Sequence, residues 1–192
     1  MPTSDAELAR RALAGSQAAY SELVERYASP AVNVAVRLVN DRALAEELAQ
    51  EAFVRAFSRL ATYDQERRFS SWFFQILHNV SVDYLRRRRV ETVSLDALLN
   101  SGYAGPADDD PASSPETEAE RRALAAALAD AVGRLRQDFR EAIVLKYQQG
   151  LSVDEIAEIL GVPEGTVKTY LHRGRKELAA VLSAAGWGPD NR

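Results

Sequence analysis

Apolar residues recur along most of the chain with the spacing of a helix and rarely with the alternation of a strand. Residues 20–27 place them at i, i+3, i+4 and i+7, and residues 124–135 repeat them at near-heptad spacing. Residues 32–39 are rich in valine, and this β-branched composition also suits a strand. The helical patterns on both sides favour a buried helix there. The patterning predicts an all-α fold.

Capping residues and helix breakers mark the bounds of the N-terminal helices. Ser4, Asp41 and Ser71 each precede an apolar series, as an N-cap residue does because its side chain accepts a hydrogen bond from a free amide. Pro30 interrupts the second series and predicts a break or a fresh first turn. Residues 61–70 have little apolar content, so we expect a loop there.

Residues 151–178 carry the pattern of two short helices joined by a tight turn. Ser152 and Glu155 have the spacing of a capping box, Gly161 suits a left-handed helix end, and Pro163 suits the start of a helix. This arrangement is typical of a helix-turn-helix, whose second helix enters the major groove of DNA. An ordinary helical hairpin with a solvated charged face is the alternative. The free face of the second helix carries Lys168, Thr169, His172, Arg173 and Lys176.

Charge is distributed unevenly and divides the chain into two domains. The net charge is −4 overall, although residues 1–90 and 121–192 each carry +2 and residues 91–120 carry −8. The acidic stretch is rich in Gly, Pro and Ser and cannot pack a core. We therefore predict helical domains at 1–90 and 119–192 joined by a flexible acidic linker. Both domains are mildly basic, which suits a nucleic-acid partner.

An arginine run ends the last helix of the first domain, close in sequence to several aromatic residues. Positive charge at a helix C-terminus stabilises the helix dipole, but four consecutive arginines exceed that need. Proteins hold single-stranded nucleic acid with basic side chains, which pair with phosphates, and with aromatic side chains, on which the nucleobases stack. Trp72 and the phenylalanines also suit a protein core, so the loop and the arginines are the stronger candidates. The run consists of Arg86, Arg87, Arg88 and Arg89.

Composition excludes several classes of function. The chain has no cysteine, which excludes disulfides and cysteine-ligated zinc. It has no apolar run long enough to span a membrane and no signal-peptide core at its start, so we expect a cytoplasmic protein. His78 and His172 are the only histidines, and no HExxH, P-loop or nucleophile-elbow motif is present. We predict neither catalysis, nor a metal, nor a cofactor, nor a small-molecule substrate.

Three motifs in this order resemble a bacterial RNA polymerase sigma factor of the extracytoplasmic-function (ECF) class. AEELAQEAFVRAF at 45–57 is similar to its core-polymerase-binding helix. FSSWFFQILHNVSVDYLRRRR at 69–89 is similar to its segment that reads and melts the −10 element. REAIVLKYQQGLSVDEIAEILGVPEGTVKTYLHRGRKEL at 140–178 is similar to its domain that reads the −35 element. The resemblance covers about residues 15–89 and 125–182.

The resemblance implies a specificity subunit that directs promoter-specific initiation without catalysis of its own. It implies core-polymerase contacts at Glu47, Leu48, Gln50, Glu51 and Phe53. It implies contacts to the single-stranded −10 element at Tyr63, Trp72, Asn79, Arg86, Arg87, Arg88 and Arg89, with Tyr63 and Asn79 holding a flipped base. It implies contacts to the −35 duplex at Thr166, Lys168, Thr169, His172, Arg173 and Lys176.

Three departures from the family pattern leave the general assignment intact, and only the last of them bears on promoter sequence. Phe57 stands where the family usually has tryptophan, and Arg136 where it usually has proline. Tyr170 stands where an arginine is common, so one phosphate contact is lost or replaced.

The resemblance also implies regulation by a partner. The family commonly uses a cognate anti-sigma factor, often membrane-tethered, and this chain itself has no segment for membrane insertion. A flexible linker lets us expect free domains with no fixed relative orientation. A competing hypothesis is a repressor or activator with a C-terminal helix-turn-helix. That hypothesis gives no purpose to the 45–57 helix or to the arginine run.

Overall fold

The computed structural model describes residues 3–92 and 115–187. Within these ranges every regular element is a helix, which confirms the all-α prediction. A short 3-10 turn, Leu60–Thr62, follows the third helix. The α-helices are α1 (Asp5–Leu13), α2 (Gln17–Val39), α3 (Arg42–Ser58), α4 (Phe69–Thr92), α5 (Pro115–Arg134), α6 (Gln137–Tyr147), α7 (Val153–Leu160) and α8 (Glu164–Ala184).

The second helix runs through Pro30 without ending, so the predicted break there is wrong. Proline has no N–H and costs about 3 kcal/mol or more inside a helix. Tyr27, Ala31 and Val34 around it are buried in the core, and their packing outweighs that cost. The helix instead ends at Asn40, which adopts a left-handed conformation with φ of 53°. The expected helix over residues 32–39 is confirmed.

An aromatic core holds α1–α4 together as the N-terminal unit. Phe73 and Phe74 are fully buried, and the ring of Tyr27 lies 5.3 Å from that of Phe69 and 5.5 Å from that of Phe73. Because Phe69 belongs to this cluster, α4 begins there and not at the predicted cap Ser71, which is buried inside the first turn. Apolar packing, more than capping, sets the start of this helix.

The C-terminal unit, α5–α8, contains the predicted helix-turn-helix, α7 and α8. The capping box is present, because the Ser152 amide donates to Glu155 Oε2 at 2.8 Å and the Glu155 amide donates to Ser152 Oγ at 3.3 Å. Gly161 ends α7 with φ of 65°, a conformation that is costly for other residues. Ile156 and Ile159 are buried beneath the turn. These local signals placed the two helices correctly from sequence.

The two units pack directly against each other. Helix α4 lies against α7, and α2 lies against α6. Arg140 on α6 donates to the carbonyl oxygen of Arg37 on α2 at 3.0 Å. The expectation of domains without a fixed orientation is wrong for this structure, because complementary polar groups on both units meet at a shared face. The predicted linker, 91–118, lies mostly outside the described residues; α4 extends to Thr92 and α5 begins at Pro115.

Candidate nucleic-acid interface

Helix α8 presents a row of exposed polar and basic side chains. Its inner face is anchored by Val167 and Leu171, which are buried against the rest of the C-terminal unit. The period of 3.6 residues then turns the intervening positions outward. Of the predicted −35 residues, Thr166 is half-buried, and the exposed ones are Lys168, Thr169, His172, Arg173 and Lys176.

These side chains differ in how far they are already engaged. Lys168 pairs with Glu164 at 3.2 Å, and the Thr169 hydroxyl donates to the Gly165 carbonyl oxygen at 2.9 Å. Arg173 makes no ion pair within the described part of the chain. Lys176 is likewise exposed and makes no ion pair there, so these two cations are the members of the row most available to an anionic partner.

Tyr170, a departure from the family pattern, serves packing. Its ring lies 5.7 Å from that of Phe139 on α6 and is half-buried. The position therefore contributes apolar contact inside the C-terminal unit where the family more often has a cation.

The loop before α4 and the outer face of that helix form a second polar and aromatic surface. Trp72, Asn79 and Arg86 are spaced by seven residues, so they follow one stripe along the helix. Trp72 is half-buried and its ring lies 5.3 Å from that of Tyr63, whereas Asn79 and Arg86 are exposed. The fold thus places Trp72, Asn79 and Arg86 along one stripe of α4, with Tyr63 packed against Trp72.

Tyr63, predicted to hold a flipped base, is largely buried in this structure. Its side chain is 7% exposed, its ring packs on Phe69 and Trp72, and its hydroxyl donates to the Arg67 carbonyl oxygen at 2.7 Å. Burial, followed by the negative charges of Asp5 and Asp64, raises the pKa of this phenol. In this structure Tyr63 shapes the loop and offers only an edge to solvent.

The arginine run continues the surface at the end of α4. Arg86, Arg87 and Arg88 are exposed, and Arg86 pairs with Asp83 at 3.1 Å. The side chain of Arg89 lies outside the described residues. Arg86 lies on the same stripe as Asn79, and Arg87 and Arg88 beside it in the last two turns of α4 add positive charge, which suits phosphate binding.

A cleft of 340 Å³ opens beside Tyr63. Asp5 accepts a hydrogen bond from the Tyr27 hydroxyl at 2.5 Å and pairs with Arg26, which fixes α1 against α2 at the cleft wall. Burial and this hydrogen bond raise the pKa of Tyr27 well above its usual range. The cleft is also lined by Arg67, Arg68 and, from the C-terminal unit, Gln149.

Arg67 and Arg68 are residues that pattern reasoning did not select. Arg67 pairs with Glu158 on α7. Arg68 donates to the Gly150 carbonyl oxygen at 3.1 Å and lies 3.5 Å from Glu155. Two adjacent basic residues in a loop flanked by aromatic residues were the sequence signal for a functional role. Their partners could not be found from sequence, because they lie more than eighty positions away.

The outer face of α3 presents the predicted core-binding residues only in part. Glu47, Gln50 and Glu51 are exposed and Phe53 is half-buried. Leu48, expected on the docking surface, is instead 4% exposed and belongs to the core, because the apolar face of α3 packs on α2 and α4. A groove of 360 Å³ between α2 and α3 is lined by Gln50 and Phe53.

The described residues hold no group of three or more side chains able to bind a metal ion. None of the helices in 3–92 or 115–187 combines the length and apolar character needed to cross a membrane. His78, interpreted from sequence as structural, pairs with Glu141 across the two units.

Comparison with known protein families matches both units. The model of Sigma-70 region 2 matches residues 23–91, and the model of Sigma-70 region 4 matches residues 125–178. The two matches correspond to the two helical units and leave the acidic segment between them.

Curated relatives extend the match to most of the chain. The ECF RNA polymerase sigma factor SigW of Bacillus subtilis is 33% identical over 175 residues, which cover 88% of this chain and 91% of SigW. The sigma factor CnrH of Cupriavidus metallidurans is 32% identical, with 94% and 95% of the two chains covered. The ECF sigma factor SigE of Mycolicibacterium smegmatis is 37% identical, and this chain spans 65% of its length.

Solved structures show the same architecture. CnrH in complex with the cytosolic domain of CnrY aligns with a TM-score of 0.64 and 27% identity, over 95% of this chain and 99% of that one. RpoE in complex with the anti-sigma factor NepR from Bartonella quintana aligns with a TM-score of 0.70 over 85% of this chain, and at 24% identity it shows the fold alone. The chain belongs to the ECF class of RNA polymerase sigma factors, the specificity subunits for transcription initiation that have no catalytic activity of their own.

Proposed function

We propose that each unit of this sigma factor reads one promoter element, with α8 on the −35 duplex and the 63–68 loop with α4 on the melted −10 strand. The proposal rests on one observation, the different side-chain chemistry of two surfaces of the chain. One is a helix with a row of exposed cations. The other combines aromatic rings, an amide and a run of arginines. These are the side chains that duplex and single-stranded DNA respectively require.

The −35 contacts would be made by α8 in the major groove. Arg173 and Lys176 are exposed, one turn apart, and make no ion pair within the described residues. Lys168 would exchange Glu164 for a phosphate, because its present pair is solvent-exposed and weak. Thr166, Thr169 and His172 supply donors and acceptors for base edges.

The −10 contacts would begin at Asn79. Its exposed amide can donate and accept hydrogen bonds, which suits the edge of an unstacked base. Trp72 on the same stripe offers a partly open ring, while Tyr63 supports Trp72 from beneath. Arg86, Arg87, Arg88 and Arg89 would hold the adjoining phosphates, which fixes the strand's path without selecting its sequence.

Core polymerase would dock on the outer face of α3. Glu47, Gln50 and Glu51 provide an acidic and polar surface, and Phe53 provides apolar area at the neighbouring groove. Leu48 would act from within, by holding α3 in place.

A cognate anti-sigma factor is also proposed. The relatives CnrH and RpoE have been solved with a protein partner, and for RpoE that partner is an anti-sigma factor. Such a partner would compete with core polymerase by covering α3. Affinity purification of the chain from unstressed cells tests this. The Glu51→Arg variant is the control, because it alters the α3 face that core polymerase and the anti-sigma factor are proposed to share, and it should recover less of both.

The central test is transcription in vitro with purified core polymerase on a library of genomic fragments. We expect start sites that appear only when the chain is added and that share two upstream elements. The Arg173→Ala variant should lose initiation at those sites in the same reactions. A chain that binds core but produces no new start sites would contradict promoter reading by these surfaces.

A further inference from the structure

A buried phenylalanine connects the recognition helix α8 with the turn that precedes α6. Phe139 on α6 is 3% exposed, and its ring lies 5.7 Å from the ring of Tyr170 on α8. The guanidinium carbon of Arg136 lies 5.0 Å from the centre of the same Phe139 ring. Arg136 is therefore held close to α8, although it belongs to the turn between α5 and α6.

The part of α8 that Arg136 approaches borders the basic row of that helix. Tyr170 follows Thr166 by four positions and precedes Arg173 by three, so the three residues are neighbours on the helix surface. Arg173 is exposed and makes no ion pair within the described residues. The rings of Tyr170 and Phe139 thus lie between the basic row and a further exposed arginine.

Arg136 does not favour the stability of α6. It occupies the N-cap position, and its side chain makes no capping hydrogen bond there. Ser, Thr, Asp or Asn would accept a hydrogen bond from a free amide at this position, and a positive charge at a helix N-terminus opposes the helix dipole. The backbone of Arg136, with φ of −53°, would also accommodate the proline that the family usually has. Local stability therefore does not explain the arginine.

The contacts of Arg136 within the chain leave hydrogen-bond donors for a partner. Its side chain is 67% exposed, and Nη2 lies 2.9 Å from Asp138 Oδ2. An ion pair this exposed contributes little, and a guanidinium group has five N–H donors. Stacking on Phe139 orients the group without using those donors. The result is an oriented cation that faces solvent.

Two departures from the family pattern meet at Phe139. Tyr170 stands where the family more often has arginine, and its ring packs on Phe139. Arg136 stands where the family usually has proline, and its guanidinium lies over the same ring. The chain therefore lacks one cation at the border of the basic row and has an additional one beside that border.

We propose that Arg136 binds a phosphate of the DNA strand that borders the −35 major groove, and that it replaces the cation absent at position 170. This rests on the proposed −35 role of α8. A recognition helix in the major groove has a phosphate backbone on each side, which residues flanking the helix contact. Because a phosphate contact carries no sequence information, Arg136 fixes the position of α8 on the duplex and leaves base reading to the row itself.

Removal of the charge tests the contact in the holoenzyme formed from the full chain and core polymerase. The probes are a labelled duplex with the −35 sequence found by start-site mapping and a scrambled duplex of the same length. Arg136→Gln should weaken the binding of both by about two- to tenfold. The slope of log affinity against log salt concentration should become shallower by about 0.9, the value for one phosphate. Equal affinities and slopes for the variant and the wild type would overturn the contact.

Two further variants separate charge from packing and from position. Arg136→Lys keeps the charge and should keep the salt slope of the wild type. Arg134→Gln removes the same charge from a similarly exposed arginine that pairs with Asp130 at 2.8 Å, and it should leave the slope unchanged. A shallower slope in Arg136→Lys would assign the effect to packing on Phe139, and an equal loss in Arg134→Gln would assign it to net charge. Either result would overturn the phosphate contact.

Transfer of the cation tests replacement. Tyr170→Arg in the Arg136→Gln background should restore affinity and salt slope, because a guanidinium at position 170 can lie on the Phe139 ring and reach the same strand. In the wild-type background the gain should be smaller, because Arg136 already binds the phosphate. Equal gains in the two backgrounds would show independent contacts and would overturn the replacement.

Failure of the proposed function would look different. In that case the wild-type holoenzyme would bind the −35 and scrambled duplexes equally, and Arg173→Ala would change neither affinity. If the wild type prefers the −35 duplex and Arg173→Ala weakens binding while Arg136→Gln does not, the −35 role of α8 stands and the role of Arg136 is rejected.

Discussion

His78 on α4 pairs through Nδ1 with Glu141 on α6, across the boundary between the two units and 63 positions apart in sequence. Among the described residues Glu141 is the only charged one in the buried class, with 7% of its surface exposed. A buried carboxylate needs a polar partner because its desolvation is unfavourable. This pair therefore makes the orientation of the units part of the folded structure.

We expect Glu141→Ala to lower the free energy of unfolding by about 1–3 kcal/mol, because it leaves the buried His78 ring without its partner. His78→Ala should have a similar effect, and the double variant should cost less than the sum of the two. Urea titration followed by circular dichroism measures all three. Strictly additive effects would show that the two side chains do not interact in solution.

The recognition helix should lose DNA affinity when Arg173 is truncated. Arg173→Ala is expected to weaken −35 duplex binding while core-polymerase affinity is unchanged. A phosphate contact would give a uniform loss and a smaller salt dependence, whereas a base contact would relax specificity at one position by about 1–3 kcal/mol. Fluorescence anisotropy over a salt series distinguishes the two.

Arg175→Ala is the matched control for this helix. It removes the same charge two positions away, on another face of α8, where Arg175 Nε donates to the Leu171 carbonyl oxygen at 3.3 Å. Equal losses in the two variants would indicate a general electrostatic effect and would reject the assigned face.

Core-polymerase docking should depend on the charge of Glu51. Glu51→Arg is expected to abolish co-purification with core enzyme by reversing charge at the exposed α3 face. The change also replaces the Glu51–Arg55 pair by like charges, a cost of only about 0.2–0.5 kcal/mol within a helix. Helicity by circular dichroism should therefore be retained. Normal holoenzyme assembly would place the docking surface elsewhere.

Promoter melting should depend on Asn79. Because this residue is exposed, Asn79→Ala removes its amide with little effect on the fold. Open-complex formation on duplex promoters should fall more than closed binding, since only the melted state presents an unstacked base. Permanganate footprinting should show a smaller defect on a pre-melted bubble template, because its −10 bases are already unpaired and part of the free-energy cost of melting is already met.

Tyr63 is buried in the aromatic cluster, so truncation to alanine would also affect stability, and a conservative substitution is needed beside it. Tyr63→Phe keeps the ring against Trp72 and removes only the hydrogen bond to the Arg67 carbonyl oxygen. Tyr63→Ala should reduce both melting and stability. Defects of equal size on duplex and bubble templates in Asn79→Ala and Tyr63→Ala would assign both residues to packing or simple binding.

An added methyl group at Gly174 should crowd the contact between α8 and α6. A Cβ there would lie 2.9 Å from Ile143 Cγ1, so the Ile143 side chain or the helices that carry the two residues would have to shift. Crowding of this kind costs about 1–3 kcal/mol, against a gain of about 1 kcal/mol in helix propensity. We expect Gly174→Ala to be neutral to destabilising, by up to about 2 kcal/mol. Gly133→Ala, which meets open space on α5, should be stabilising, and thermal unfolding compares the two.

Local chemistry explains what could be predicted from sequence. The capping box at Ser152 and Glu155 and the left-handed Gly161 involve residues within one or two turns of each other, so a short window contains both partners. The free face of α8 follows from helical period and from the apolar positions Val167 and Leu171. The family match likewise depends on contiguous segments.

Only the tertiary structure decided which of these residues are accessible. Pro30 stays inside a helix, Leu48 and Tyr63 are buried, and α4 begins before Ser71, because packing between distant helices outweighs local preference.

The contact between the units could not be predicted from sequence either, because it also depends on packing between helices that are distant in the chain. Arg67 and Glu158 have the composition of ordinary exposed residues, and no periodicity links positions 91 apart. Sequence alone predicted an all-helical sigma factor and the segments that are proposed to face DNA. The folded arrangement established that one of those segments lies against the chain's own acidic helix, since only packing in three dimensions brings their charges together.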